Sequence, residues 1–442
     1  MLPSVLNIGP FSIHSLRVSM ARAGAALAGG YRPGHSRRRM LAALVALGMA
    51  GGGAAWSGLA AAQTANPGAQ PLRIGLIGPF TGPSADFGMP MHNGVRLAVD
   101  EINAAGGYLG RPLELVVKDD TAKPDVGRKL SEELVADKVA ATIGFCNTGV
   151  AQQSLEVFQN ARIPLLIPCA TGTPLTSKYP APESYIFRTS ARDAIQAPFI
   201  VQDIAKRGWT QVAVFADTTG YGEAGLKDVE AALAARQLKP VYVARFATGV
   251  KDLGPELQAA RQAGANVIVG YTVGQENAVI AKGRKAMKWD VPFVGPWTLS
   301  FPFFIDGAKE AAEGALMVQT FIAEPSNERR ASFLANYARK FNATKISVPV
   351  AAAQGYDTAY LLMHALFGVR ATQLDGPAIK TALENIQRNY YGVVATYEKP
   401  FSASDKDAVS ANMLYLGQVK NGAVTFAYPE DAKRNLFVQR KQ

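Results

Sequence analysis

Cysteine and histidine are the scarce residues of this sequence. It has two Cys, Cys146 and Cys169, and four His, of which only His92 and His364 follow the first 62 residues. Two thiols and two imidazoles so dispersed give no metal-ligand spacing. A nucleophile–His–acid set likewise has almost no His to draw on. The strings G-x-S-x-G, H-E-x-x-H and G-x-x-x-x-G-K-[ST] are all missing, and with them the local signatures of serine hydrolases, zinc peptidases and P-loop NTPases. No catalytic residue, metal or cofactor is therefore expected. A carboxylate-based hydrolase of unfamiliar type is the enzymatic alternative left open.

Acidic residues are absent from residues 1–62, which carry six Arg (17, 22, 32, 37, 38 and 39) and no Lys. The formal charge of +11 on 442 residues comes mostly from this segment. Without it 40 basic residues face 35 acidic ones. The remainder shows no basic cluster, so nucleic acid is not an expected partner. The segment reads as an export signal (1–62): Arg37–Arg39 is a positive n-region, Met40 to Leu59 is uncharged and apolar, and Ala60–Ala62 is a small-residue cleavage site before Gln63. Ser36-Arg-Arg-Arg-Met-Leu41 has the form of a twin-arginine motif. A membrane-spanning anchor is the competing reading, and the Gly interruptions and processing site count against it. No Cys follows the apolar stretch, so a free periplasmic protein is expected, not a lipoprotein. Export permits a disulfide. Cys146 and Cys169 nevertheless sit where backbone geometry would serve a ligand, and free thiols are the expectation.

With 48% hydrophobic residues and a mean hydropathy of +0.03, the chain suits a globular protein long enough for two domains. After a spacer (63–71), apolar runs and helical patterns alternate. Strand Leu72–Gly78 precedes helix Met89–Ala104, strand Leu113–Lys118 precedes helix Asp125–Ala136, and strand Val139–Ile143 leads to a further helix and to a buried strand Ile163–Ile167. Such alternation predicts a parallel sheet with helices on both faces. Phe187-Arg-Thr-Ser190 reads as a crossing point, after which the alternation starts again and runs to about Val294. Helices near 327–341, 350–367 and 377–386, with strands near Val393 and Met413, form a tail that is expected to divide between two lobes. The expected fold is α/β: two doubly wound lobes, 72–190 plus about 321–397 and 191–320 plus about 398–442, joined by a hinge of several crossovers.

The stretch Ile143 to Thr176, IGFCNTGVAQQSLEVFQNARIPLLIPCATGTPLT, places two strand ends and one helix start side by side. In an open α/β sheet ligands sit at strand ends, and a helix N-terminus favours an anion. Asn147 or Thr148 is expected to cap that helix. This stretch is the candidate site for a small anion.

Several strings together resemble the branched-chain amino-acid class of periplasmic solute-binding proteins that feed ABC importers. They are IGLIGPFTGPSADFG, AVDEINAAGGYLGRPLELVVKDD, IGFCNTG, IPCATGTPLT, FRTSARD and DTTGYG. The resemblance implies a Venus-flytrap fold of periplasmic binding protein type I, a small carboxylate ligand, ABC permease subunits as partners and a monomer. A sensor presenting its closed form to a membrane receptor is the alternative. Carried over by residue, the carboxylate grip falls on Thr148 and Thr171, with the backbone of Cys169 and Ala170 facing the ligand. The aromatic positions fall on Phe87, Tyr221 and Tyr271. Thr81, Ser84 and Asp86 rank below them.

One departure stands out. Where amino-acid binders of that family carry an acid after Gly-Pro, to pair with the ligand ammonium, this chain has Trp297. An ammonium closed in without an anion costs several kcal/mol, and an indole face returns only about 0.5–2 kcal/mol. Asp193 or Glu276 could substitute; the expected ligand is a carboxylate with an apolar or aromatic body, with an α-amino acid as the second choice. A Phe-like position of the family also falls on Ala351, which would leave room for a bulkier ligand.

Overall fold

The structure is a computed structural model that describes residues 69–370, 373–435 and 440–441. The expected export signal lies outside the described residues. The apolar runs form two main sheets. Strands β1 (Leu72–Gly78), β2 (Leu113–Asp119), β3 (Ala141–Gly144), β4 (Leu165–Ile167) and β5 (Ile186–Arg188) make the first, all parallel, in the order β2-β1-β3-β4-β5. The second uses β6 (Val212–Asp217), β7 (Tyr242–Phe246), β8 (Val267–Tyr271), β9 (Phe293–Gly295) and β10 (Leu316–Gln319). A ribbon β11–β12 (Tyr390–Tyr391, Thr396–Tyr397) stands apart, and β13 (Tyr415–Lys420) and β14 (Ala423–Phe426) join the second sheet. Its order is β14-β13-β10-β9-β8-β6-β7, parallel except where β13 and β14 enter.

Around the first sheet lie α1 (Ala85–Ala104), α2 (Pro124–Ala136), α3 (Thr148–Ala161) and a single turn, α4 (Pro174–Ser177). Helices α5 (Asp193–Lys206), α6 (Gly220–Ala234), α7 (Gly254–Gln262), α8 (Glu276–Ala286) and α9 (Pro302–Ala308) follow, then α10 (Glu328–Phe341), α11 (Pro349–Gly368) and α12 (Gly376–Glu384). Alternate strand residues face opposite layers. Leu72, Ile74 and Leu76 join the apolar cluster that holds α1 and α11, while Ile77 joins the one that holds α2 and α3. In the second sheet Val212, Val214 and Ala216 face α5 and α6, and Ala213 and Phe215 face α7, α8 and α9.

The chain leaves the first sheet after β5, returns to α10 and α11 after β10, and re-enters the second sheet at β13. These passages are the crossovers expected of a hinge. Two strands start later than expected. Val139 and Ile163 close the turns that end α2 and α3, with Val139 N donating to Leu134 O and Ile163 N to Phe158 O. Each follows a residue at positive φ, Lys138 and Arg162 respectively. Their amides are spent on a helix C-cap before pairing can begin. Among the described residues no helix is long and apolar enough to cross a membrane.

Candidate functional site

Each sheet reverses its strand order once. β1 has β2 on one side and β3 on the other, and β6 has β7 and β8. Loops at the carboxyl ends of such strands diverge and leave a crevice. The strand ends, loops and helix starts at the carboxyl ends of β1, β3, β4, β6 and β8 carry most of the candidate residues.

In the first lobe β3 ends at Gly144 and α3 begins at Thr148. The expected cap is not formed: neither Asn147 nor Thr148 accepts a bond from the helix start. Thr148 Oγ1 instead accepts from Gly172 N at 3.2 Å, and Asn147 Nδ2 donates to Ser84 Oγ at 3.3 Å. Both side chains are drawn to neighbouring loops, and the first N–H groups of α3 keep no intrahelical partner. Ala170 N donates to Phe145 O at 3.0 Å, so the loops after β3 and β4 remain paired beyond the strands. Fully buried Arg188 fixes the second loop. Its guanidinium donates to Thr171 O (2.9 Å), Gly172 O (2.8 Å) and Thr176 Oγ1 (2.6 Å) and pairs with Asp407 (2.6 Å). Burial would raise the Asp407 carboxyl, but Arg188 and Arg192 hold it below the usual carboxylate range.

Cys146 and Cys169 are free and buried. Burial, with Cys169 alongside, pushes the Cys146 thiol well up, which leaves it neutral and unreactive.

In the second lobe the string Asp217-Thr-Thr-Gly220 shapes the loop. Asp217 accepts from Thr219 N, Thr219 Oγ1 and Val273 N, tying the loop after β6 to the one after β8. Thr219 Oγ1 then caps α6 by accepting from Tyr221 N and Gly222 N. Tyr221 thus belongs to the first turn of a helix, not to a free loop. Its ring lies 5.1 Å from that of Tyr271, and Tyr271 packs against Gly225, where any Cβ would fall 2.0 Å from the ring. Both hydroxyls are buried without a hydrogen bond, and burial raises both phenols well above their ordinary range.

Trp297 follows β9 and stands edge-on to Phe301 at 4.7 Å, while Phe301 stacks on Phe87 of α1 at 5.0 Å. Phe87 therefore meets the second lobe through Phe301 and Phe303. Phe301 was not among the residues expected from sequence; the aromatic-rich string Phe301-Pro-Phe-Phe304, four residues after Trp297, was its signal.

All eight expected residues are buried: Phe87, Thr148, Cys169, Ala170, Thr171, Tyr221, Tyr271 and Trp297. The structure gathers them in three groups, the paired first-lobe loops, the tyrosine pair, and the Phe87–Phe301–Trp297 stack. Thr81 and Asp86 lie apart from these groups. Thr81 bonds to Asp119, and Asp86 is exposed.

Of the two acids expected as substitutes for one at position 297, Glu276 is occupied. Its oxygens accept from Gly249 N and Thr272 Oγ1. Asp193, at the start of α5, is fully buried. Its Oδ1 accepts from Gln196 Nε2 at 3.2 Å, and Gln196 Oε1 accepts from Trp297 N at 3.3 Å. Oδ2 has no partner. Burial pushes this carboxyl up to about 7, with Asp228 adding to it. The Tyr271 and Thr171 hydroxyls lie near enough to offset this in part, without completing a hydrogen bond to Oδ2. Asp193 is thus an acceptor in want of a donor beside two expected site residues. Among the described residues no cluster of His, Cys, Asp or Glu is arranged to hold a metal.

A family model described as periplasmic binding protein matches residues 71–423. The leucine-, isoleucine-, valine-, threonine- and alanine-binding protein of Pseudomonas aeruginosa is 27% identical over 263 residues, 59% of this chain and 70% of that one. A branched-chain amino acid transporter substrate binding protein of Streptococcus pneumoniae, solved with isoleucine, superposes with a TM-score of 0.68 at 24% identity, over 80% of this chain and 98% of that one. A solute binding protein of an ABC transporter of R. palustris, solved with benzoate, gives a TM-score of 0.68 at 20% identity, over 81% and 95%.

Proposed function

The chain belongs to the periplasmic binding protein family, and from that premise we propose that it is the extracytoplasmic solute-binding component of an ABC importer. Its ligand is a small carboxylate, captured when the two lobes close. The lobes are 72–190 with about 321–397, and 191–320 with about 398–442. The protein works in the periplasm, and its closed shape is what the permease subunits recognise. The observation that carries this reading is the meeting of loops from both sheets over a buried surface whose polar groups are incompletely paired. The start of α3 and the loop at Cys169–Thr171 supply main-chain donors for the carboxylate, and charge-assisted bonds of this kind contribute about 1.5–3 kcal/mol each. Phe87, Tyr221, Tyr271 and Trp297 enclose the apolar body.

Thr148→Ala combined with Thr171→Ala is expected to weaken binding by at least about tenfold, or about 1.4 kcal/mol, in calorimetric titration, with the circular dichroism spectrum unchanged. Unchanged affinity would overturn the carboxylate grip. Asp193 favours one refinement of the ligand. Its unpaired oxygen offers an ammonium a partner that Trp297 does not, so an α-amino acid has an acceptor to meet. Comparison of leucine with its des-amino analogue reads this directly: tighter binding of leucine supports it, and tighter binding of the analogue assigns the site to simple acids.

A further inference from the structure

The turn after α1 carries an apolar side chain where its backbone favours a polar one. Tyr108 N donates to Arg111 O at 2.8 Å and Arg111 N to Tyr108 O at 3.0 Å. Leu109 and Gly110 are left at the tip, with φ of 51° and 83°. Two positive φ angles suit Asn-Gly, and a bulky residue at the first of them is strained. Leu109 is also 74% exposed, so packing does not offset that strain. Phe367, at the end of α11, is the next most exposed large hydrophobic residue among those described, at 51%. The rings of Tyr108 and Phe367 lie 5.8 Å apart, which joins the turn and the helix end in one apolar patch. It borders a groove of about 880 Å³ between the ends of α1 and α11, with Ile102, Met363 and Ile386 in its lining.

The charges around this patch have one sign. Arg370 and Arg388 line the groove, and Arg111 closes the turn. Arg111 donates to Gln70 O (2.8 Å) and Pro71 O (3.3 Å), and Arg370 to Phe367 O (3.2 Å). Among the described residues none of the three guanidiniums meets a carboxylate. Glu101, the acid of the groove, is already engaged, accepting from Asn336 Nδ2, Tyr356 OH and Tyr360 OH. Glu114 on β2 alternates to the face of Val116, toward α2 and α3. His364 also lines the groove, and burial with Arg388 beside it holds its imidazole below the ordinary value. A second copy of the chain laid on this patch would bring two sets of the same cations together with no carboxylate between them. An anionic lipid surface supplies the missing negative charge, and its apolar layer takes a projecting side chain without a matching pocket.

We propose that Leu109 and Phe367, ringed by Arg111, Arg370 and Arg388, form a docking face for an anionic lipid bilayer. The two apolar side chains enter the interface and the guanidiniums meet lipid phosphates. This goes beyond the solute-binding reading and does not depend on what the cleft holds.

The test is sedimentation of the mature chain with vesicles of phosphatidylglycerol and, separately, of phosphatidylcholine. At low salt the share bound to phosphatidylglycerol is expected to be at least about fivefold larger, and to fall toward the phosphatidylcholine level as salt screens the charges. Arg370→Gln with Arg388→Gln should bring the two vesicles to within about twofold of each other. Leu109→Asn should weaken binding by about threefold or more while the melting temperature holds or rises, because Asn tolerates the positive φ. A lowered melting temperature would give Leu109 a structural role and overturn the inference. So would a chain that shows no preference for phosphatidylglycerol, or one whose preference survives the arginine substitutions. Binding that the arginine variant loses but Leu109→Asn leaves unmoved marks a plain charge contact, such as an acidic protein also makes, and overturns it too. A native dimer in light scattering that Leu109→Asn dissolves would put a second copy on the patch instead. None of these variants alters Thr148 or Thr171, so calorimetric affinity for the cleft ligand is expected to stay unchanged, and failure of either reading leaves the other standing.

Discussion

Asp193 shows what burial does to a single group. Its carboxyl has an ordinary value of 3.8 and rises to about 7 in the fold, chiefly because the charged form is desolvated. Between these values the native chain holds a proton that the unfolded chain has released. Stability from this group is therefore fully present below about pH 4 and lost as pH rises through 7. Asp193→Asn keeps an acceptor for Gln196 and removes the titration. The variant is expected to match the native chain in urea midpoint near pH 3 and to exceed it increasingly as pH rises to 8. A gap that does not change with pH would contradict the assignment. Asp120 and Asp357 are also raised, to about 7 and about 6, but they are common to both proteins and cancel in the comparison. Asp193 stands in the sequence as one Asp near a helix start. That its second oxygen is unpaired while Glu276 is engaged follows from neighbours at least 22 residues away or across the fold, such as Thr171, Tyr271 and Gly249.

At the scale of elements, two helix starts meet across the cleft. A Cβ added at Gly220, the first residue of α6, would lie 3.0 Å from Gly149 Cα and 3.2 Å from Gly149 N at the start of α3. Neither backbone can yield without separating the helices. Ala is at home in a helix, so Gly220→Ala is expected to leave the melting temperature within a few degrees while weakening ligand affinity several-fold, because the lobes stop short of full closure. Unaltered affinity would show that this contact does not limit closure. The helices and strands themselves were legible in the apolar periodicity, and most limits fell within two residues of those expected. α1 starts at Ala85, four residues before the expected Met89, and at Val139 and Ile163 the strand starts moved because a helix C-cap had claimed the amide first. The cap expected at Asn147 or Thr148 failed for a similar reason: the side chains that would have turned inward to α3 found partners at Ser84 and Gly172.

For the whole molecule, the joint between lobes depends on a buried ion pair. Arg188 ends β5, and Asp407 lies on the segment that leads back to β13. Removing one member leaves the other charged and uncompensated, at a cost of about 3–5 kcal/mol. Asp407→Ala is thus expected to lower the urea midpoint sharply at pH 7. Because Asp407 is held below the ordinary carboxylate range, its contribution is present above that range and lost as pH falls through it. The difference between native chain and variant should therefore shrink in acid. A variant as stable as the native chain at pH 7 would remove the pair from the joint. Read along the chain, periodicity gave the α/β alternation, and the motif strings pointed to the family and to the loops at Thr148 and Cys169–Thr171. Those are local properties, set by which residues follow one another. The partner of each polar group was settled only when distant loops closed on one another. Trp297 came to rest on Phe301 and Gln196, and Tyr108 came to rest on Phe367, because burial and hydrogen bonding depend on neighbours in space, and adjacency in sequence does not name them.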